Sequence, residues 1–264
     1  MRPYYSVSLN DIVGGLSEWR VWTRLGWQEV KRRYRRTVLG PFWATISIGM
    51  FVGGLAFVWA PLFNTDVRSY LPFLAAGLVT WALITALINE GCATYVAGVS
   101  VITQMNFPYS ILNFSVIWRN LIVFFHNVVI MVLIASVLPV KISWATLLVI
   151  PGLAIVSLNG FWMTMLLGMV CARFRDVPQL IANIVQILMF ITPVFWFAHQ
   201  LSGRNQLVIT YNYMYHLIEV VRSPLLGEPA SILSYSVTSV GGILGCLLAF
   251  EVFSRFRIRI PYWL

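Results

Sequence analysis

FWATISIGMFVGGLAFVWAPLF, running from Phe42 to Phe63, contains no charged side chain. An apolar stretch of about 20 residues is what a helix needs to cross a hydrocarbon core of roughly 30 Å. In lipid the backbone must satisfy its own hydrogen bonds, which a helix does internally. Comparable stretches follow at Tyr70 to Asn89, Asn120 to Pro139, Trp144 to Cys171, Gln179 to Phe197 and Ile232 to Phe250. The reading is an all-α membrane protein with about six transmembrane helices. A transmembrane barrel would instead alternate in segments of about ten residues.

Composition agrees. The 264 residues are 59% hydrophobic and 10% charged, where soluble domains carry about 25% charged residues. The chain reads as one transmembrane domain over 1–264, with a cytoplasmic or interfacial segment over 1–41. Arg119, His126 and Asn127 make the third span the least apolar, although Arg119 can snorkel from its end. Pro151 marks the N-terminal turn or a kink of the long fourth span. The N-terminus lacks a signal-peptide pattern, so the first span is expected to act as the insertion signal.

Eight basic residues precede the first span: Arg2, Arg20, Arg24, Lys31, Arg32, Arg33, Arg35 and Arg36. Arg173 and Arg175 follow the fourth, and Arg255, Arg257 and Arg259 lie near the chain end. If six helices alternate, all of these fall on one side. Arg119 borders that side, and the opposite loops hold Arg68, Lys141, Arg204 and Arg222. The positive-inside rule then places both termini in the cytoplasm. Because the charge of +9 clusters beside a span, anionic lipid is a more economical partner than nucleic acid.

Leu16 to Arg36 can form an interfacial helix with Leu16, Trp19, Trp27, Val30 and Tyr34 on one face. Arg32, Arg33, Arg35 and Arg36 would meet phosphate there, whether of a lipid or of a substrate headgroup; the simpler alternative is that they only fix topology. A short helix through Val101 to Asn106, stopped before Pro108, would project Gln104, Met105 and Phe107 as a docking surface or serve as an ordinary connection. Arg173, Arg175 and Asp176 can form an ion-paired turn, with Pro178 opening the next helix. Tyr211 to Leu226 is apolar for an external loop and suggests a short helix that dips back as a re-entrant element, with Glu219 and Arg222 paired three residues apart.

Catalysis finds little support. His126, His199 and His216 lack metal-type spacing, no compact acid pair stands out, and neither Lys31 nor Lys141 follows the glycine of a phosphate-binding loop. Cys92, Cys171 and Cys246 read as packing residues. Glu90, His126 and Glu251 lie in or beside spans, as ion-pathway or boundary residues. No metal, cofactor or catalytic residue is expected in this chain, and active transport would require a separate ATPase.

Taken in order, VKRRYRRTVLGPFWATIS at Val30 to Ser47, NFPYS at Asn106 to Ser110, WRNLIVFFHN at Trp118 to Asn127, ARFRDV at Ala172 to Val177, TPVFW at Thr192 to Trp196 and RIPYWL at Arg259 to Leu264 resemble the permease subunits of type-2 ABC transporters that export O-antigen and related polysaccharides. The resemblance implies a type-2 ABC exporter fold and a homodimer with two copies of a separate ATPase that binds ATP and Mg. It also implies a glycan carried on undecaprenyl diphosphate, moved across the bacterial inner membrane. It assigns Gln104, Met105, Asn106 and Phe107, with Arg173, Arg175 and Asp176, to ATPase coupling. For the glycan pathway we select Trp43, Phe51, Phe190, Phe195 and Trp196, since rings stack on sugar faces; lipid-facing or packing roles are the alternative for each. A membrane-embedded glycan-processing transferase and an ion-coupled lipid flippase are the rival functions.

Overall fold

The computed structural model describes residues 3–35, 37–40, 42–104, 107–200 and 206–264. Arg36, Met105 and Asn106 among the selected site residues lie outside them, as do Arg2 and Arg204. The chain begins with α1 (Pro3–Ser17) and α2 (Trp19–Arg33), where one helix was expected over Leu16 to Arg36. It breaks at Glu18, whose φ of -80° and ψ of 44° are not helical.

The face of α2 that packs on the bundle is a separate matter from the apolar face expected to lie on the bilayer, with Val30 common to both. Gly26 and Val30 are buried, while Leu16, Trp19 and Trp27 stay exposed. Close approach to the helix beneath decides this, because a Cβ on Gly26 would stand 2.9 Å from the Ser115 carbonyl oxygen. Replacing Gly26 with leucine should therefore lift α2 away. The check is a bifunctional maleimide cross-link between cysteines introduced at Trp22 and Phe114, whose rings are 6.0 Å apart. It should form readily when Gly26 is kept and be lost in the Gly26→Leu variant.

Among the described residues, five helical stretches are long and apolar enough to cross a membrane: Phe42–Leu62, Val67–Gln104, Ser110–Val137, Trp144–Arg173 and Ile232–Trp263. They contain α3 (Phe42–Leu62), α4 (Val67–Ala97), the short α5 (Val99–Gln104), α6 (Ser110–Val137) and α7 (Val149–Arg173) after a 3₁₀ turn. Pro151 sits in the first turn of α7, as expected, and its missing N–H is no loss there.

Next comes α8 (Val177–Ile191), of 15 residues, or roughly 22 Å. The expected span Gln179 to Phe197 thus divides into a helix and a non-helical tail over 192–197. Pro193 explains the division. It forces Thr192 into extended backbone, φ -87° and ψ 136°, as the residue before proline prefers. The tail nonetheless reaches the start of α4, where the Tyr70 hydroxyl donates to the Phe195 carbonyl.

The remaining elements are α9 (Gln206–Thr210), α10 (Tyr213–Leu225), α11 (Ile232–Phe256) and, after a 3₁₀ turn, α12 (Ile260–Trp263). Asn212 caps α10 by accepting from the N–H groups of Met214 and Tyr215. The helix packs against α4, α7 and α11.

At the centre lies α4, with Tyr70, Leu74, Ala75 and Val79 fully buried, flanked by α3, α6 and α7; α11 covers the far side of α7. Lipid tails are as apolar as leucine, so such helices associate through packing and interhelical hydrogen bonds. Asn113 donates to the Thr164 hydroxyl at 3.2 Å and accepts from Tyr95 at 3.0 Å. Asn159 donates to the Thr238 carbonyl at 3.1 Å, and Thr45 to that of His126 at 3.1 Å. Helix α1 packs on α6 and α11, and α12 on α5 and α7. The two described ends of the chain therefore share one end of the bundle with α5 and the α7–α8 turn.

Candidate functional site

On that end, α2 packs on α6 and brings Arg33 to a half-buried carboxylate of α4, Glu90. Arg33 Nη2 is 2.5 Å from Glu90 Oε1. Arg119 donates through Nε and Nη2 to Glu90 Oε2 at 2.9 and 2.6 Å, and Asn120 adds a third bond at 2.7 Å. Arg119 also pairs with Glu29 of α2. Burial alone would weaken the charge on Arg33 and is the largest single influence on it, but the hydrogen bond and charge of Glu90, with help from Tyr34, outweigh it and raise its pKa.

The basic patch expected from Arg32, Arg33, Arg35 and Arg36 is therefore not uniform. Arg33 is committed to Glu90. Arg32 and Arg35 are exposed, and among the described residues neither has an acidic partner. Arg32 borders a cavity of about 490 Å³ that also reaches Gln28, Glu90, Ser100 and Arg119. That cavity combines cationic edges with two carboxylates already neutralised by arginine.

Helix α5 begins two residues earlier than expected and is described as far as Gln104; its expected end at Asn106 lies outside the described residues. Its Ile102 is buried with Tyr95, Met165 and Ala172, which turns Gln104 outward. Phe107 is half-buried, its ring 6.4 Å from that of Tyr109. In the second turn, the ion pair expected among Arg173, Arg175 and Asp176 is absent among the described residues. Arg175 donates to the Leu264 carbonyl at 3.1 Å, and Arg173 lies over Phe174 and Trp263, 5.3 and 5.6 Å from the ring centres. The last residues of the chain have taken the place of Asp176 as partner.

The aromatic candidates separate into two groups. Trp43, Phe51 and Phe190 are exposed, whereas Phe195 is 7% exposed and packs between Trp59 and Phe190, at 5.4 and 5.8 Å. Trp196 is half-buried, and its indole donates to the Phe190 carbonyl at 3.2 Å. A groove of about 550 Å³ between α3, α4 and α8 is lined by Phe51, Trp81, Thr85 and Met189 among others. The Thr85 hydroxyl has no partner among the described residues. That oxygen is itself buried, so the groove presents mainly apolar side chains and the rings of Phe51 and Trp81.

Each of Glu90, His126 and Glu251 has partners of its own; those of Glu90 are Arg33, Arg119 and Asn120. Glu251 accepts from Tyr5 and Arg255, and His126 Nδ1 bonds the Ile122 carbonyl within its own helix. The Glu219–Arg222 pair is present, but Arg222 also donates to the Pro193 carbonyl at 2.5 Å and lies 4.4 Å from the ring centre of Phe73. That longer reach was not legible from spacing three residues apart. Nor was the Glu90–Arg119 link, whose partners lie 29 residues apart.

A bundle of long apolar helices, with its charged clusters gathered at the ends, defines a polytopic helical membrane protein. Residues 20–226 match the ABC-2 type transporter family, and the chain belongs to it. It is similar to the O-antigen export system permease protein RfbA of Klebsiella pneumoniae, at 19% identity over 233 residues, covering 88% of this chain and 90% of the relative. The permease of the same description from Myxococcus xanthus is 24% identical over 174 residues, 64% of this chain and 65% of the relative.

Proposed function

We propose that this chain is the permease subunit of an ATP-driven exporter of O-antigen or a related lipid-linked polysaccharide. The observation that carries the reading is the groove that brings Phe51 of α3 and Met189 of α8 together beside Thr85, in a chain similar over 88% of its length to an O-antigen export permease. Two copies would face each other across the sparsely covered α3 and α8, completing a pathway lined by Trp43, Phe51 and Phe190. Phe195 and Trp196 would shape its wall from behind.

In this reading α8 and its tail over 192–197 make the sixth crossing, α10 is the external re-entrant element, and both termini are cytoplasmic in the bacterial inner membrane. Exposed Arg32 and Arg35 would meet the diphosphate of an undecaprenyl-linked substrate, with Arg33 available once Glu90 releases it. A separate ATPase, in two copies, would bind ATP and Mg and press on Gln104, Phe107 and the α7–α8 turn. Nucleotide can drive the cycle only by binding one state of the pathway better than another. This chain itself carries out no reaction.

Deleting the gene tests the reading in cells. Surface polysaccharide should disappear while the lipid-linked polymer accumulates inside. Unchanged surface polysaccharide, or polymer lacking its normal composition, would favour a different role, the second pointing to a transferase.

A further inference from the structure

Asp11 sits in the middle of α1 with its side chain fully buried. A buried carboxylate is costly unless paired and hydrogen-bonded, and this one is both. It accepts from the backbone N–H groups of Tyr109 and Ser110 at 3.0 Å each and from Arg257 Nε at 2.6 Å. The Ser110 hydroxyl returns a bond to the Asp11 carbonyl at 2.8 Å. The contact is tight: a Cβ on Gly15, one turn further on, would stand 2.1 Å from the Ser110 hydroxyl oxygen.

Helix N-termini expose unsatisfied N–H groups and favour negative charge. Normally a local Ser, Thr, Asp or Asn supplies the cap. Here Tyr109, at the cap position of α6, makes no side-chain cap, and Asp11 caps the helix from 98 residues away. The start of α6 is therefore capped only while α1 is docked. Arg257 closes the assembly by lying over the Tyr109 ring, 4.5 Å from its centre.

From Arg257 the chain runs directly into α12, where Ile260 is fully buried in the same cluster as Ile102 of α5 and Ala172 of α7. Beyond it, Trp263 and Leu264 hold Arg173 and Arg175. The two elements assigned to motor contact, α5 and the α7–α8 turn, are thus bridged by the C-terminal segment, which the Arg257–Asp11 pair ties to α1.

Resting on the permease reading above, we propose that Asp11 is a positioning residue: with Arg257 it joins α1, the start of α6 and the C-terminal segment into one block, so that a push on α5 moves α6 and α11 together. Its loss uncouples nucleotide hydrolysis from transport rather than preventing assembly. Asparagine at this position loses the charge and turns a donor toward one of the two N–H groups.

The test uses the full chain reconstituted with its ATPase and its lipid-linked glycan. In D11N and R257Q, ATPase association and hydrolysis should stay near wild type while glycan translocated per ATP falls about tenfold, the size of a typical coupling free energy. R257K, which keeps the charge, should retain most of the coupling. If D11N fails to insert, the Arg257 pair carries the test. Unchanged translocation per ATP in R257Q would overturn the proposal, as would a parallel fall of assembly, hydrolysis and translocation, which is what a purely structural role produces. Translocation by wild type without any ATPase would overturn the permease reading itself, and the coupling role with it.

Discussion

Replacing Glu90 with glutamine should destabilise the protein by on the order of 3 kcal/mol, because it strands a buried arginine. The Arg119 side chain is 11% exposed, and Glu90 supplies it with two charge-assisted bonds while also holding Arg33 and Asn120. Among the described residues, Glu29 is the one carboxylate left to Arg119 in the variant. Because Glu29 belongs to α2, the charged part of the attachment of α2 would then rest on that pair, beside the packing of Trp22, Gly26 and Val30. Thermal unfolding in detergent should show the loss, and it should be non-additive with Arg119→Met. Removing both partners of a buried pair restores part of what removing one costs, with coupling of about 1 to 3 kcal/mol between contacting residues. Strict additivity would show that the two residues act separately.

Arg222→Met should act at the opposite end with similar force. Arg222 is 2% exposed and holds three things at once: the Glu219 carboxylate, the Pro193 carbonyl and the face of Phe73. Methionine fills the space but leaves Glu219 bonded to Ser223 without its cation, a loss of about 3 kcal/mol for a buried pair. It also releases one of the hydrogen bonds that hold the tail over 192–197. Lysine should not rescue, since a single ammonium does not reproduce the planar, forked guanidinium that serves several acceptors while stacking on a ring. A cysteine introduced at Val194, which is fully buried, reports the release. Its labelling by a water-soluble maleimide should rise about tenfold or more in the methionine variant, as expected when a local opening becomes favoured by over 1 kcal/mol. Labelling at the wild-type rate would show that Tyr70 and Asn212, whose side-chain amide donates to the Thr192 hydroxyl at 3.0 Å, hold the tail without Arg222.

The long apolar helices were legible because length and the absence of charge are local properties. So were the Pro151 turn and the Glu219–Arg222 pair, each set by neighbours a few residues away. The break at Glu18 was not legible, because Leu16 and Trp19 continue an acceptable helical pattern across it. The shortening of α8 is written in Pro193, which holds Thr192 extended, but the apolar residues that follow it mask that signal.

Within the candidate site, residue types were legible and their partners were not. Basic residues at 32, 33 and 35 were identifiable as a patch, but only the fold shows that Arg33 is held by Glu90 while Arg32 and Arg35 stay exposed. Asp11 carried no warning at all. An acidic residue inside an N-terminal helix normally means a solvated face, and its role depends on a helix start that lies 98 residues further along the chain.

The most direct test of the account is transport in proteoliposomes containing this chain, with and without its cognate ATPase and hydrolysable ATP, using a lipid-linked polysaccharide labelled on its sugars. The account predicts translocation to the opposite face only when chain, ATPase and ATP are all present, and none when ATP is replaced by a non-hydrolysable analogue. Translocation by the chain alone, or driven by an ion gradient in the absence of nucleotide, would contradict it.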